Sequence, residues 1–122
     1  ITVSDQMANL FKNGFERLRP CHLDTLSNRL RDVGYRCGGL YGFYSAHASN
    51  SFSLAAFVTL VLEFKRNYFT IAFYTWAVLL SFSRIYLAAH YPSDVLVGAL
   101  LGSFIAFVIY RLSILGSKIV FK

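Results

Sequence analysis

His90 and Asp94 are the residues of this sequence whose types and spacing best suit nucleophilic chemistry. They lie four positions apart with Pro92 between them, so we expect the pair to meet across a turn. A carboxylate beside an imidazole fixes its tautomer and stabilises its cationic form, so Asp94 could orient His90 for attack on phosphorus. The alternative is that Ser93 or Asp94 only caps the helix that follows.

His47 is the second candidate for proton chemistry, and it ends the segment Tyr44-Ser45-Ala46-His47 at the start of an apolar stretch. The free N–H groups of a helix N-terminus can bind an anion, and the hydroxyl of Ser45 adds a further donor. An imidazole titrates near neutrality, so His47 could protonate a departing oxygen. A histidine that only caps or packs is the alternative here.

Three basic residues could bind the oxygens of a phosphate. Lys12 and Arg19 are seven positions apart, nearly two helical turns, so their side chains would project from almost the same face. Arg84 ends a long apolar stretch, where a charge is costly unless it has a partner. Paired cations suit a phosphate or another multivalent anion. Taken singly, such residues are more often solvated or set membrane topology.

The composition indicates that a membrane surrounds the elements carrying these residues. Apolar residues make up 56% of the 122-residue chain and charged residues 15%, against roughly 45–50% and about 25% in soluble proteins. A soluble domain this small has too much surface for its volume to bury so much apolar area. The formal net charge of +6 suits anionic lipid, phosphate or nucleic acid.

Three apolar stretches are expected to cross the bilayer as helices. They are residues 37–62, whose helical part should begin near His47, residues 67–82 and residues 95–110. Each approaches the ~20 residues that a span requires, and each is apolar on all sides, which indicates burial or lipid contact. The predicted fold class is an all-α, membrane-embedded helical bundle with about three transmembrane helices. A soluble helical bundle is the alternative.

The segments around these spans are expected to complete the bundle. Residues 1–19 have the apolar spacing of a helix that Pro20 would end, and residues 20–45 have the glycines of an irregular loop. Because the chain opens inside this first helix without an initiator Met, we expect further helices upstream. Gly98 and Gly102 form a pair of small residues typical of close helix packing.

Together with Pro20 and Ser83, these residues resemble the signature of the type 2 phosphatidic acid phosphatase (PAP2) family, which is K-x6-R-P, P-S-G-H and S-R-x5-H-x3-D. The first and third parts match in full. In the middle part, Tyr44 replaces Pro and Ala46 replaces Gly. The matching positions are Lys12, Arg19, Pro20, Ser45, His47, Ser83, Arg84, His90 and Asp94. The chain is therefore identified as a PAP2-like domain over residues 1–122, lacking its N-terminal helices.

This resemblance implies a membrane phosphatase that hydrolyses a lipid phosphate monoester or diphosphate without a metal ion or other cofactor. It implies that His90 attacks phosphorus to form a phosphohistidine, that His47 protonates the leaving group and later activates water, and that Asp94 orients His90. The implied phosphate ligands are Lys12, Arg19, Arg84, Ser45 and the backbone N–H of Ala46. Family members act on phosphatidic acid, undecaprenyl diphosphate and lipid A phosphates, and the resemblance favours undecaprenyl diphosphate or a related bacterial lipid.

The expected partners are therefore the phosphorylated lipid and the membrane. Nucleic acid is not expected, because the basic residues divide between two membrane faces instead of forming one patch. One face has Lys65, Arg66, Arg111, Lys118 and Lys122, which the positive-inside rule assigns to the cytoplasm. The other face has Lys12, Arg17, Arg19, Arg29, Arg31, Arg36 and Arg84. The active site would then face the periplasm or the exterior of a bacterial inner membrane.

Two other interpretations concern function and metal binding. An inactive family member or packing subunit is the non-enzymatic alternative, although it would not require two histidines, an aspartate and three cations at these spacings. A metal site built from His22, Asp24 and His47 matches no standard ligand spacing.

Cys21 and Cys37 are the only cysteines of the chain, and both fall in the loop predicted to lie outside the cytoplasm. Disulfides persist in oxidising compartments such as the periplasm. We therefore predict that these two cysteines are paired, with two free thiols as the alternative.

Overall fold

The computed structural model describes residues 1–27, 37–62 and 67–120. Within these ranges the regular structure is helical, apart from one isolated bridge between Leu18 and Tyr41, so the predicted all-α fold is confirmed. The helices are α1 (Thr2–Phe15), α2 (Asp24–Ser27), α3 (Ala46–Val61), α4 (Asn67–Tyr86) and α5 (Pro92–Val120), with a short 3-10 turn at Pro20–His22.

Helix α3 lies in the centre and packs against α1, α4 and α5, most extensively against α5. Its buried side chains are all small, namely Ala48, Ser49, Ser51, Ser53, Ala55 and Ala56. A methyl group added at Gly98 would come within 2.5 Å of the carbonyl oxygen of Ser45, and one added at Gly102 would overlap the carbonyl group of Ser49. The close packing predicted from Gly98 and Gly102 is thus confirmed.

Two helices are long and apolar enough to cross a membrane, over Tyr68–Tyr86 and Pro92–Gly116. Only 11% and 17% of these segments are buried within the described part of the chain, so most of their apolar surface faces outward. Lipid or further apolar helices would cover it. At about 24 Å, the 16-residue α3 is shorter than the ~30 Å hydrocarbon core, so a third span there stays a prediction.

Helix α1 is held to α3 by side-chain hydrogen bonds. The hydroxyl groups of Ser4 and Ser49 are hydrogen-bonded, and the amide of Asn50 donates to Asp5 at 2.9 Å. These contacts fix the helix that carries Lys12 against the helix that carries His47.

The prediction that the first helix runs to residue 19 is wrong, because α1 ends at Phe15. Glu16 adopts a left-handed conformation with φ 46° and donates its N–H to the carbonyl of Lys12, a common way for a helix to end. The chain then runs extended beside residues 40–42. There the N–H of Arg19 donates to Leu40 at 3.0 Å, and the N–H of Gly42 donates to Arg17 at 2.8 Å.

The other helix boundaries also differ from those predicted. Helix α4 continues past Phe82 to Tyr86, and α5 begins at Pro92 and runs to Val120. A charged residue such as Arg84 does not end a helix, and proline is favoured at a first helical position because its missing N–H needs no partner there.

Part of the predicted topology lies outside the described residues. This applies to residues 28–36 of the 20–45 loop, to residues 63–66 and to residues 121–122. The basic residues concerned are Arg29, Arg31, Arg36, Lys65, Arg66 and Lys122. The predicted sidedness therefore stays a prediction.

Candidate active site

The turn between α4 and α5 brings His90 and Asp94 together in a buried position. His90 is 3% exposed and Asp94 is fully buried. The Nδ1 atom of His90 lies 3.9 Å from Oδ2 of Asp94, beyond the range of a hydrogen bond. This buried nitrogen has no hydrogen-bond partner among the described residues. The two side chains are therefore adjacent, as predicted. The distance between His90 Nδ1 and Asp94 Oδ2 is about 1 Å longer than that of a hydrogen bond.

Two other donors hold the carboxylate of Asp94. Arg17 donates from Nη1 to Oδ1 at 2.7 Å, and the backbone N–H of Tyr91 donates to Oδ2 at 3.0 Å. Tyr91 directly precedes the first residue of α5, so Asp94 does cap this helix, as the alternative interpretation holds. Arg17 was not among the predicted site residues, because its sequence position gives no sign of a contact 77 residues away.

The N-terminus of α3 lies directly beside this turn. The backbone N–H of Ser45 donates to the carbonyl of Asp94 at 3.0 Å, which ties the two segments together. The Ser45 hydroxyl is fully buried and accepts from the N–H of Ala48, so it caps α3. Ala46 is partly exposed. The predicted phosphate-binding roles of Ser45 and Ala46 stay predictions.

Tyr44, which departs from the family signature, anchors this segment to α1. Its side chain is fully buried, and its ring lies edge-on to Phe11 with the centroids 5.5 Å apart. Phe43 and Phe15 continue the aromatic cluster. The larger residue thus replaces proline by filling the space between α1 and α3.

His47 lies in the first turn of α3, outside the two segments that could cross a membrane. His47 is an exposed residue, although part of its ring is removed from solvent. Burial, together with the charges of Arg84, His90, Lys12 and Arg19, lowers the pKa of His47 below its ordinary value. The three cations predicted to bind phosphate thus all lie close enough to His47 to act on its charge. Burial also lowers the pKa of Lys12, and so does the neighbouring charge of Arg19.

Arg19 is held in place by the loop at residues 38–42. Its Nε donates to the carbonyl of Tyr41 at 3.2 Å. A methyl group added at Gly42 would come within 3.0 Å of Arg19 Cγ and 3.6 Å of His90 Nδ1. Gly42 therefore keeps the space between a cation and the buried histidine clear. The sequence marked it only as one of several loop glycines.

Arg84 is oriented by the residue before it. Its Nε donates to the hydroxyl oxygen of Ser83 at 3.2 Å, and that hydroxyl donates to the carbonyl of Leu80 at 2.6 Å. The Ser83-Arg84 pair in the third part of the family signature thus works as a unit in which the serine hydroxyl holds the guanidinium in place.

Cys21 and Cys37 form a disulfide with their Cα atoms 6.1 Å apart, as predicted. The N–H of Cys21 donates to the carbonyl of Ala88 at 3.2 Å, which docks this segment on the turn that carries His90. The Nε2 atom of His22 lies 2.9 Å from the carbonyl oxygen of Gly38, within hydrogen-bond distance. Among the described residues, His22 lies close to the sulfur atoms of Cys21 and Cys37, but these atoms are joined in the disulfide and are not thiolates that could bind a metal ion. Asp24 and His47 do not belong to this group.

A cavity of about 300 Å³ opens beside His47. Its walls are part polar, from Asp5 and Asn50, and part apolar, from Leu54, Trp76 and Leu80. A group attached to a phosphate held near His47 would have room there.

Comparisons with known proteins identify the family that this chain resembles. The family model of the PAP2 superfamily matches residues 1–115. The lipid A 4'-phosphatase of Bacteroides thetaiotaomicron is 40% identical over 115 residues, which cover 90% of this chain and 49% of that protein. The lipid A 4'-phosphatase of Porphyromonas gingivalis is 34% identical over 118 residues, covering 91% and 47%. The chain thus spans about half the length of these curated relatives. No solved structure matches it.

Proposed function

Because this chain belongs to the PAP2 superfamily, we propose that it is the catalytic part of a membrane phosphatase that removes phosphate from a lipid. The observation that carries the proposal is the convergence of two histidines and three cations. His90 is buried beside Asp94, and the cations Arg84, Lys12 and Arg19 act on His47 at the same place. This set provides a nucleophile, a proton carrier and an anion-binding site.

In the first step, His90 attacks phosphorus through Nε2, because Nδ1 faces the Asp94 carboxylate. The Nε2 lone pair bonds to phosphorus as the bond from phosphorus to the leaving oxygen breaks. Protonated His47 gives its proton to that oxygen. The gap of 3.9 Å between His90 and Asp94 closes as His90 becomes cationic, since the carboxylate attracts the imidazolium.

In the second step, neutral His47 takes a proton from water. The water oxygen bonds to phosphorus as the phosphorus–nitrogen bond breaks, and inorganic phosphate leaves. The cations Lys12, Arg19 and Arg84 balance the phosphoryl charge in both steps, a contribution that is usually the largest in catalysis of this kind.

Substrate binding prepares His47 for its role as an acid. In the empty site, burial and the surrounding cations lower its pKa, which favours the neutral imidazole. A phosphate dianion among the same cations offsets their repulsion of a proton, so the pKa of His47 rises on binding. His47 is then protonated when the leaving group requires a proton.

We propose a phosphate monoester of a glycolipid such as lipid A as the substrate class. The names of the two relatives support this choice, whereas undecaprenyl diphosphate is favoured by the family resemblance alone. The partly polar and partly apolar cavity beside His47 suits a leaving group with both hydroxyl and acyl parts.

We also propose that the active site faces an oxidising compartment. The Cys21–Cys37 disulfide supports this location, and the apolar surfaces of α4 and α5 support anchoring in the membrane.

A phosphate-release assay on the full-length protein in membranes tests this function. We expect release from lipid A phosphate in the presence of EDTA, and slower release from undecaprenyl diphosphate and phosphatidic acid. His90→Ala should abolish release, and His22→Ala provides a matched histidine control that should keep most of it. Strict dependence on an added divalent metal, or undiminished release by His90→Ala, would contradict the mechanism. Preference for undecaprenyl diphosphate would contradict only the substrate class.

A further inference from the structure

The two oxygens of the Asp94 carboxylate have different partners. Oδ1 accepts from Arg17 at 2.7 Å, whereas Oδ2 accepts from the N–H of Tyr91 and faces Nδ1 of His90. Asp94 is fully buried, and a buried carboxylate without a cation would be strongly destabilising. Among the described residues, Arg17 is the permanently charged side chain in ion-pair contact with Asp94.

Arg17 is itself fixed from several directions. Its carbonyl accepts from the N–H of Gly42 at 2.8 Å. Its Nη1 also donates to the hydroxyl of Ser93 at 3.0 Å, and its guanidinium carbon lies 4.2 Å from the ring centroid of Tyr91. These contacts aim the guanidinium at one oxygen of Asp94 even though the side chain is 41% exposed.

We propose that Arg17 is a positioning residue that acts on the nucleophile through Asp94, an inference that rests on the proposed function. By occupying Oδ1, Arg17 prevents the carboxylate from rotating and keeps Oδ2 directed at His90. Its charge also offsets the cost of burying the Asp94 carboxylate, so that this carboxylate can stabilise His90 as its imidazole becomes cationic. Arg17 would thus serve the reaction without touching the phosphate.

The guanidinium shape is part of the proposal. A planar guanidinium can share its N–H groups between Asp94 and Ser93 while its face stacks on Tyr91. Lysine keeps the charge but has no planar group that could stack on Tyr91 while it donates to Asp94 and Ser93. Arg17→Lys should therefore recover only part of the function that Arg17→Gln loses.

A double-mutant cycle on the full-length protein in membranes tests this role. The variants are Arg17→Gln, Asp94→Asn and the two combined, with kcat and KM measured by phosphate release. We expect Arg17→Gln to lower kcat by about 10- to 100-fold with little change in KM, within the range that couplings in one ion-pair network span. The double variant should be no slower than Asp94→Asn alone, because Arg17 acts through that carboxylate.

Arg111→Gln is a matched control, since the Arg111 guanidinium also lies over an aromatic ring, that of Phe107, near the other end of α5. It should keep nearly wild-type kcat. If Arg17→Gln does not accumulate in membranes, Arg17→Lys takes its place in the cycle.

The outcomes separate this proposal from the proposed function. An increase in KM with unchanged kcat would make Arg17 a phosphate ligand, and additive losses in the double variant would make it independent of Asp94. Either result overturns the positioning role while leaving the phosphatase assignment intact. A wild-type protein that releases no phosphate from any lipid would instead contradict the function itself.

Discussion

The two histidines of the site lie in opposite electrostatic surroundings. His90 is buried beside the carboxylate of Asp94, an anion that can pair with the positive charge formed on the ring during attack. His47 is an exposed residue, and the partial burial of its ring together with the charges of Arg84, Lys12 and Arg19 disfavours a positive charge there. The same side chain is thereby prepared for two tasks, because one ring lies beside a carboxylate and the other lies near cations. On the proposed mechanism, His90 becomes cationic during attack, and His47 gains its proton only when an anion arrives.

The largest effect on this contrast is expected from Asp94→Asn, which removes the negative charge beside His90 and keeps the shape. The asparagine oxygen can still accept from Tyr91, so the cap of α5 is largely retained. We expect phosphate release to fall by up to about 10⁴-fold, as in triads that lose their orienting carboxylate, with little change in protein level. Near wild-type turnover would leave Asp94 with a capping role only.

His47→Ala tests whether the second histidine acts as the general acid. General acid catalysis typically contributes about 10²–10⁴-fold, so we expect a loss of that order with a lipid substrate. A phenolic phosphate, whose leaving group departs without a proton, should recover part of the loss. Equal losses with both substrates would show that His47 is not the acid.

Lys12→Gln should make the electrostatic surroundings of His47 and His90 less different without removing either histidine. The loss of one neighbouring positive charge raises the pKa of His47 in the empty site, because less repulsion opposes its protonation. We therefore expect less proton uptake when inorganic phosphate binds near neutral pH, measured by calorimetry in buffers of different ionisation enthalpy. Arg111→Gln removes a cation far from the site and should leave the uptake unchanged. Unaltered uptake in Lys12→Gln would contradict the coupling.

Gly42→Ala is expected to have the smallest effect. Its methyl group would lie 3.0 Å from Arg19 Cγ and 3.6 Å from His90 Nδ1, so Arg19 must move by a few tenths of an ångström. Overpacking of this kind costs about 1–3 kcal/mol, and we expect a loss of activity of several-fold. Gly39→Ala is the matched control, because a methyl group there meets nothing within 4 Å. Equal activity of the two variants would mean that the space beside His90 is not critical.

The parts of this site that follow local patterns could be predicted from the sequence. His90 and Asp94 are neighbours because they share one turn, and the long uncharged stretches predict the apolar helices. The spacing of Lys12 and Arg19 predicts two cations on one face of a helix that runs to residue 19, yet that helix ends at Phe15. The cations nevertheless converge, because Arg19 is redirected by its pairing with residues 40–42.

Arg17 could not be predicted, for a physical reason. Its contact with Asp94 joins residues 77 positions apart and depends on how the segment after α1 docks on the start of α5. Tyr44 is a similar case, since its burial against Phe11 depends on where α1 packs. Local propensity contains neither kind of information.

The central claim is that His90 forms a covalent bond to phosphorus without a metal ion. Full-length protein in membranes, treated with EDTA and incubated with phosphate-labelled lipid A, should be quenched in denaturant and analysed for protein-bound label. The account predicts label that is stable to base, labile to acid, absent from His90→Ala and retained in His22→Ala. Label that persists in His90→Ala, or active turnover with no labelled protein at any time after mixing, would contradict it.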